Sequence, residues 1–146
     1  MTPRLLRSAP YFPVADVAKL AAYYERTLGF HVDYTAGSPP MFAILSRDGL
    51  PLMLRLVSDA SRLLPNEKQG GTWDVFYWVD DVEALCAELR GRGADVIYGP
   101  VVQPDYDMKE FAVRDPDGYV LGFGQEWPRH RASRGSKAVQ CSPDTW

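Results

Sequence analysis

Histidine and cysteine are scarce in this chain, with two of each in 146 residues. The histidines leave little material for acid–base chemistry and stand far apart, His31 after a Gly-Phe pair and His130 near the C-terminus. Cys86 and Cys141 show neither metal spacing nor a disulfide framework, and Cys86 falls on an apolar helical stripe, where a thiol packs as a small hydrophobe. No apolar run approaches the roughly 20 residues of a bilayer span, and the opening Met-Thr-Pro-Arg-Leu-Leu-Arg lacks a signal peptide's apolar segment. A cytoplasmic protein without a membrane partner is therefore expected. An excess of basic residues is missing as well. The net charge is −3, and phosphate binding needs a basic surface, so nucleic acid is not the expected partner. No Ser-His-Asp order, Cys-His pair, phosphate-binding glycine loop or closely spaced carboxylate pair occurs, and no catalytic residue is assigned.

What the chain does contain is a repeat. Lys109 to Gln125 reads as two strands around an Asp115-Pro116-Asp117-Gly118 turn, in which Pro116 presets φ and Gly118 supplies a positive φ. The same passage occurs earlier in weaker form. Phe42-Ala43-Ile44 stands for Phe111-Ala112-Val113 and Asp48-Gly49 for Asp117-Gly118, both at an offset of 69 residues. Further upstream, Val14-Ala15-Asp16-Val17-Ala18-Lys19-Leu20 matches Val79-Asp80-Asp81-Val82-Glu83-Ala84-Leu85 at an offset of 65. Each match opens a helix, with Asp16 or Asp81 as N-cap. Val17, Leu20, Ala21, Tyr24 and Leu28 form the first apolar stripe, ended by Gly29. Val82, Leu85, Cys86 and Leu89 form the second, ended by Gly91 or Gly93. Short strands follow over 30–34 and 94–98, so each unit reads β-α-β-β-β.

A unit of roughly 60 residues is marginal alone, so the two should share a core. The expected fold class is α+β, with two tandem βαβββ units forming one domain, a concave mixed sheet and flanking helices. The domain is expected over 1–125, with units at about 8–57 and 73–125. A polar linker with Gly70-Gly71 spans 58–72, and a tail covers 126–146. In that tail Arg129, Arg131, Arg134 and Lys137 face only Glu126 and Asp144, leaving +2 there and −5 on the first 125 residues of the total −3. The division suggests a basic arm on an acidic body or a loose terminus.

The paired βαβββ pattern, the Val-x-Asp helix starts, Leu28-Gly29-Phe30 and the Glu110-Phe-x-x-Arg-Asp-Pro-Asp-Gly118 signature resemble the vicinal oxygen chelate superfamily of glyoxalases, extradiol dioxygenases and bleomycin-resistance proteins. The resemblance covers residues 8 to 125 and is nearest in style to the bleomycin-resistance type. It implies two four-stranded sheets curled around a cleft, with metal ligands on the first and last strand of each unit in enzymatic members. Those positions hold Ala9, Met53, Asp74 and Gly122 here. Alanine and glycine offer no donor, a thioether suits soft metals only, and one carboxylate does not hold a divalent ion against water. Neither a bound metal nor a cofactor is therefore expected.

Strand alternation then assigns the faces. Residues sharing parity with the ligand positions face the cleft, and Leu52, Leu54, Leu56, Val75, Tyr77, Val79, Leu121 and Phe123 face the helices. The ligand-binding residues expected are Tyr11, Met53, Arg55, Asp74, Phe76 and Trp78, joined by Tyr106 from a loop over the cleft mouth at 101–108. Arg55 and Asp74 pair with each other or with the ligand. Asp107 stands where a glycine is usual in the resembling proteins, and aspartate tolerates positive φ. The function implied is a homodimeric binding protein that sequesters a small aromatic or amphipathic molecule, a bleomycin-like antibiotic being one candidate. The alternatives are a lyase or dioxygenase of the same superfamily with an atypical metal site, a metal-free isomerase-type enzyme with Asp74 or Tyr106 as acid or base, and a regulatory module whose dimer surface is the function.

Overall fold

The computed structural model of the chain describes residues 1–128. The basic tail, with His130, Cys141 and Trp146, lies outside the described residues, and the expectations placed on it with them. Strand β1 (Tyr11–Val14) leads into helix α1 (Val17–Thr27), followed by β2 (His31–Ala36), β3 (Phe42–Arg47) and β4 (Leu50–Leu56). The second unit repeats the order with β5 (Val75–Trp78), α2 (Val82–Gly91), β6 (Asp95–Gln103), β7 (Met108–Arg114) and β8 (Val120–Glu126). Two four-stranded mixed sheets result, ordered β1-β4-β3-β2 and β5-β8-β7-β6.

The local signals act as their chemistry requires. The Asp16 carboxylate accepts from the Lys19 amide at 3.0 Å and the Asp81 carboxylate from the Ala84 amide at 3.0 Å, each satisfying a free N–H of a first turn. After each helix the chain turns through a left-handed glycine, Gly29 at φ 74° and Gly93 at φ 90°. Asp48 and Gly49 both take positive φ, closing β3 onto β4 in a tight hairpin. Around the longer second turn, the Asp115 side chain accepts from the amides of Asp117 at 2.8 Å and Tyr119 at 3.0 Å.

Both apolar helix stripes and the inward faces of both sheets enter one core. Leu20, Tyr24, Leu45, Leu52, Leu54, Leu89, Phe111, Val113 and Leu121 are fully buried within it. Each unit also grips the other's hairpin. Tyr24 donates to Asp115 at 2.7 Å, and Arg47 forms a two-pronged pair with Glu88 at 2.8 and 3.0 Å. Phe12 stacks on Tyr119 at 4.4 Å, and the Tyr119 hydroxyl donates to the Pro13 carbonyl at 2.5 Å. Leu56 departs from the expected inward set and is 37% exposed, because the last residue of β4 runs past the core.

Two segments read as loops prove more ordered. Val101 to Gln103 continue β6 and pair with Glu110, Lys109 and Met108, so only residues 104–107 form the turn. Asp107 there adopts φ 51°, the left-handed conformation expected of it. The connecting segment forms 3-10 turns at Ala60–Arg62 and Asn66–Gln69, and Arg114 anchors it through Glu67 at 2.6 Å.

Candidate functional site

Since the inward face of each sheet enters the common core, the other face of each is left open. The expected site residues accordingly fall into separate groups. On the first sheet, Tyr11 lies edge-on to Phe42 with centroids 6.3 Å apart, and the Arg55 guanidinium sits 5.8 Å from the Tyr11 ring centre. Met53 lines a hollow of about 390 Å³ with Ile44, Pro51 and the arm Leu6–Ala9. On the second sheet, Phe76 contacts Trp73 at 4.7 Å and Trp78 at 5.1 Å. No hydrogen bond or ring contact joins the two groups among the described residues.

Asp74 takes a structural position. Its two carboxylate oxygens accept from the amides of Asn66 at 2.9 Å and Val120 at 2.8 Å, which ties the connecting segment to the start of β8. No ion pair joins it to Arg55 among the described residues. Both oxygens are thus engaged by backbone amides.

Gly122 explains what stands where a metal ligand would be. A Cβ there would lie 2.6 Å from Trp73 Cδ1 and 2.7 Å from Phe76 Cδ2, and one at Gly124 would lie 2.5 Å from Phe76 Cζ. The two glycines thus leave room for aromatic rings to pack directly against the strand, with Trp73 and Phe76 tilted 56° to one another. The residues do not fit a divalent ion, for Ala9 and Gly122 have no donor and Asp74 is occupied by amides. Among the described residues no group of three His, Cys, Asp or Glu side chains is placed to hold a metal.

Beside this aromatic floor lies a buried acid that sequence reasoning quoted in the signature without giving it a role. Glu110 on β7 is 1% exposed and pairs in register with Gly124. Its Oε1 accepts from Tyr106 at 2.7 Å and Tyr98 at 3.2 Å, and Tyr98 in turn accepts from Trp73 Nε1 at 2.8 Å. Glu110 Oε2 is buried with no hydrogen-bond partner. Burial, with the Glu110 carboxylate as a further cause, pushes the Tyr98 phenol up to about 12, and burial followed by the Glu110 hydrogen bond drives Tyr106 higher still. Both shifts favour the protonated phenols, which serve as donors to Glu110. The signal for this network was present: an acid at the open-face parity of a strand otherwise apolar around it.

His31 stays outside these groups, an exposed side chain paired with Asp33 at 2.9 Å. A further hollow of about 460 Å³ lies between the units beside the Arg47–Glu88 pair and includes Tyr77, whose phenol burial pushes up to about 12.

The family described as Glyoxalase/Bleomycin resistance protein/Dioxygenase superfamily matches residues 8–123. The chain belongs to this superfamily. Among solved structures, TnmS3, an antibiotic binding protein from Streptomyces sp. CB03234, is 28% identical, covers 86% of this chain and 99% of its own, and superposes with a TM-score of 0.63. TioX from Micromonospora sp. ML1 is 19% identical, with coverage of 83% and 98% and a TM-score of 0.67. A glyoxalase-related enzyme from Clostridium phytofermentans is 16% identical, with coverage of 85% and 97% and a TM-score of 0.68. No curated protein matches the chain. Binding and enzymatic members of the superfamily share this scaffold, so the side chains on the open faces carry the functional argument.

Proposed function

We propose that the protein binds and sequesters a small aromatic or amphipathic organic molecule without transforming it, in a cleft completed by a second copy of the chain. One observation carries the reading: Trp73 and Phe76 occupy the space above Gly122 where an enzymatic member would place a metal ligand. An aromatic shelf offers area for stacking and no Lewis acid. Trp78 extends the shelf and is 68% exposed, as is Tyr11 at 54% on the other sheet. The separation of the two open faces supports the dimer, since a planar ligand sandwiched by both groups needs one face from each of two chains. TnmS3, an antibiotic binding protein, is the relative that motivates the ligand class.

The test is a thermal-shift screen of antibiotics and planar organic compounds, bleomycin included, with tryptophan emission as a second readout. A ligand that raises the melting temperature and quenches emission without being altered supports the proposal. Turnover of the bound compound, or no stabilisation by any compound, overturns it.

A further inference from the structure

The aromatic shelf and the buried acid beside it have different consequences for the ligand. Stacking accepts any planar molecule, whereas a carboxylate oxygen selects by charge and hydrogen bonding. Glu110 has one oxygen supplied with two phenol donors and the other supplied with none. Strand alternation places it with Met108 and Ala112 on the open face, since Phe111 and Val113 between and beyond them are in the core. The neighbouring cation does not reach it. Lys109 points to the opposite face and pairs with Glu83, and no Lys or Arg pairs with Glu110 among the described residues.

A carboxylate held away from water without a counter-charge is unfavourable, and folds keep one where something else supplies the partner. The groups that cover this one are themselves within reach of solvent. Tyr106 is 38% exposed, and Trp73, Phe76 and Tyr98 are half-buried. A ring displaced from this cover uncovers a bare oxygen at the bottom of an aromatic box, and such boxes favour cations at their faces. The two phenols, fixed on Oε1, aim the remaining lone pairs of Oε2 at whatever enters.

We propose that Glu110 is the anchor for a protonated nitrogen of the ligand, so that the molecule taken up is a cationic aromatic, its ring on the Trp73–Phe76 shelf and its N–H donating to Oε2. This rests on the ligand-binding reading above and narrows its ligand class. Tyr106 is the positioning residue that closes over the anchor, and its hydroxyl releases or regains Oε1 as the ligand passes.

The test uses the full chain and two planar probes of similar shape, proflavine, which is cationic at neutral pH, and acridine, which is neutral there. Isothermal titration of wild type should show proflavine bound roughly 10-fold or more tightly than acridine. Glu110→Gln keeps an acceptor for both phenols and replaces Oε2 by an amide nitrogen. It should abolish the preference, leave acridine affinity unchanged, and melt no lower than wild type. A structural acid would do the opposite, losing stability without changing charge selectivity. Tyr106→Phe should retain the preference. Should Glu110→Gln fail to fold, Glu110→Met takes its place in the same titration. Equal affinities in wild type, or a Glu110→Gln effect equal on both probes, overturns the anchor and leaves ligand binding standing. If neither probe binds wild type, the anchor proposal falls, and the ligand-binding reading is decided by the wider thermal-shift screen.

Discussion

At the scale of single residues, exposure and hydrogen bonding separate side chains that look alike in the sequence. Trp78 and Phe76 share a strand and a parity, yet Trp78 is 68% exposed while Phe76 is pressed onto Gly122 and Gly124. Trp78→Ala should therefore cost under about 1 kcal/mol of stability in urea denaturation. If the shelf binds ligand, the same change lowers affinity by roughly 10- to 100-fold in a fluorescence titration. A large drop in melting temperature with normal affinity would place the ring in the fold and not the site. Asp115 is the contrasting case, an acid working for the fold. Burial raises it from 3.8 to about 6 even though Tyr24 and two amides favour its charged form. A folded value above the unfolded one means that its stabilisation is fully present below the unfolded value and is lost as pH rises through about 6. Wild type should thus gain stability relative to Asp115→Asn as pH falls from the neutral range towards 3.8, measured by denaturation at a series of pH values. A difference independent of pH would refute the assignment.

At the scale of elements, glycine positions show where backbone meets backbone. Gly99 lies inside β6 at φ 83°, and a Cβ there would run into the Glu110 carbonyl and the Cα of Phe111 at 2.9 Å. Gly99→Ala combines left-handed strain with overpacking between two paired strands and should destabilise by about 2–4 kcal/mol. Because it displaces the backbone of Glu110, it should also disturb the phenol–carboxylate network. Gly91 offers the control, at the end of α2 with nothing within 4 Å and no positive φ. Alanine there should stabilise by up to about 1 kcal/mol. Matching midpoints for the two variants would contradict the packing described. The repeat explains why both hairpins were visible from residues alone, since Asp48-Gly49 and Asp117-Gly118 each reverse the chain with local turn chemistry. The extension of β6 to Gln103 was not visible, because Val101 to Gln103 are held by pairing to β7 and follow a glycine–proline pair that reads as a break.

At the scale of the whole molecule, one core holds the helix faces and sheet interiors of both units, which leaves the other face of each sheet open. Tyr11, Tyr34 and Trp78, each more than half exposed, stand on those faces. A monomer would leave them to water, and pairing two chains would cover them and build the cleft. Light scattering at micromolar concentration should give twice the chain mass of 16.4 kDa. A mass of one chain would count directly against a shared cleft. The purified protein should also carry no stoichiometric zinc, iron or manganese by elemental analysis. About one metal per chain, lost in Asp74→Ala, would mean that the carboxylate leaves its two amides to coordinate, contrary to the geometry found.

The duplicated caps, stripes and turns are local chemistry, and so the order of elements, the parity of each strand and the family were already legible in the sequence. Alternation placed Leu52, Leu54, Leu121 and Phe123 inside correctly because a pleated strand leaves no other choice once one residue is assigned. The partners across the chain were a different matter. Whether Asp74 meets Arg55 or two backbone amides, whether the two aromatic groups share a face, and whether Glu110 has a counter-charge depend on how residues dozens of positions apart pack around one core. Those contacts are non-local, and only the tertiary structure decides them, for an acid in a strand looks the same in sequence whether its second oxygen is satisfied or bare.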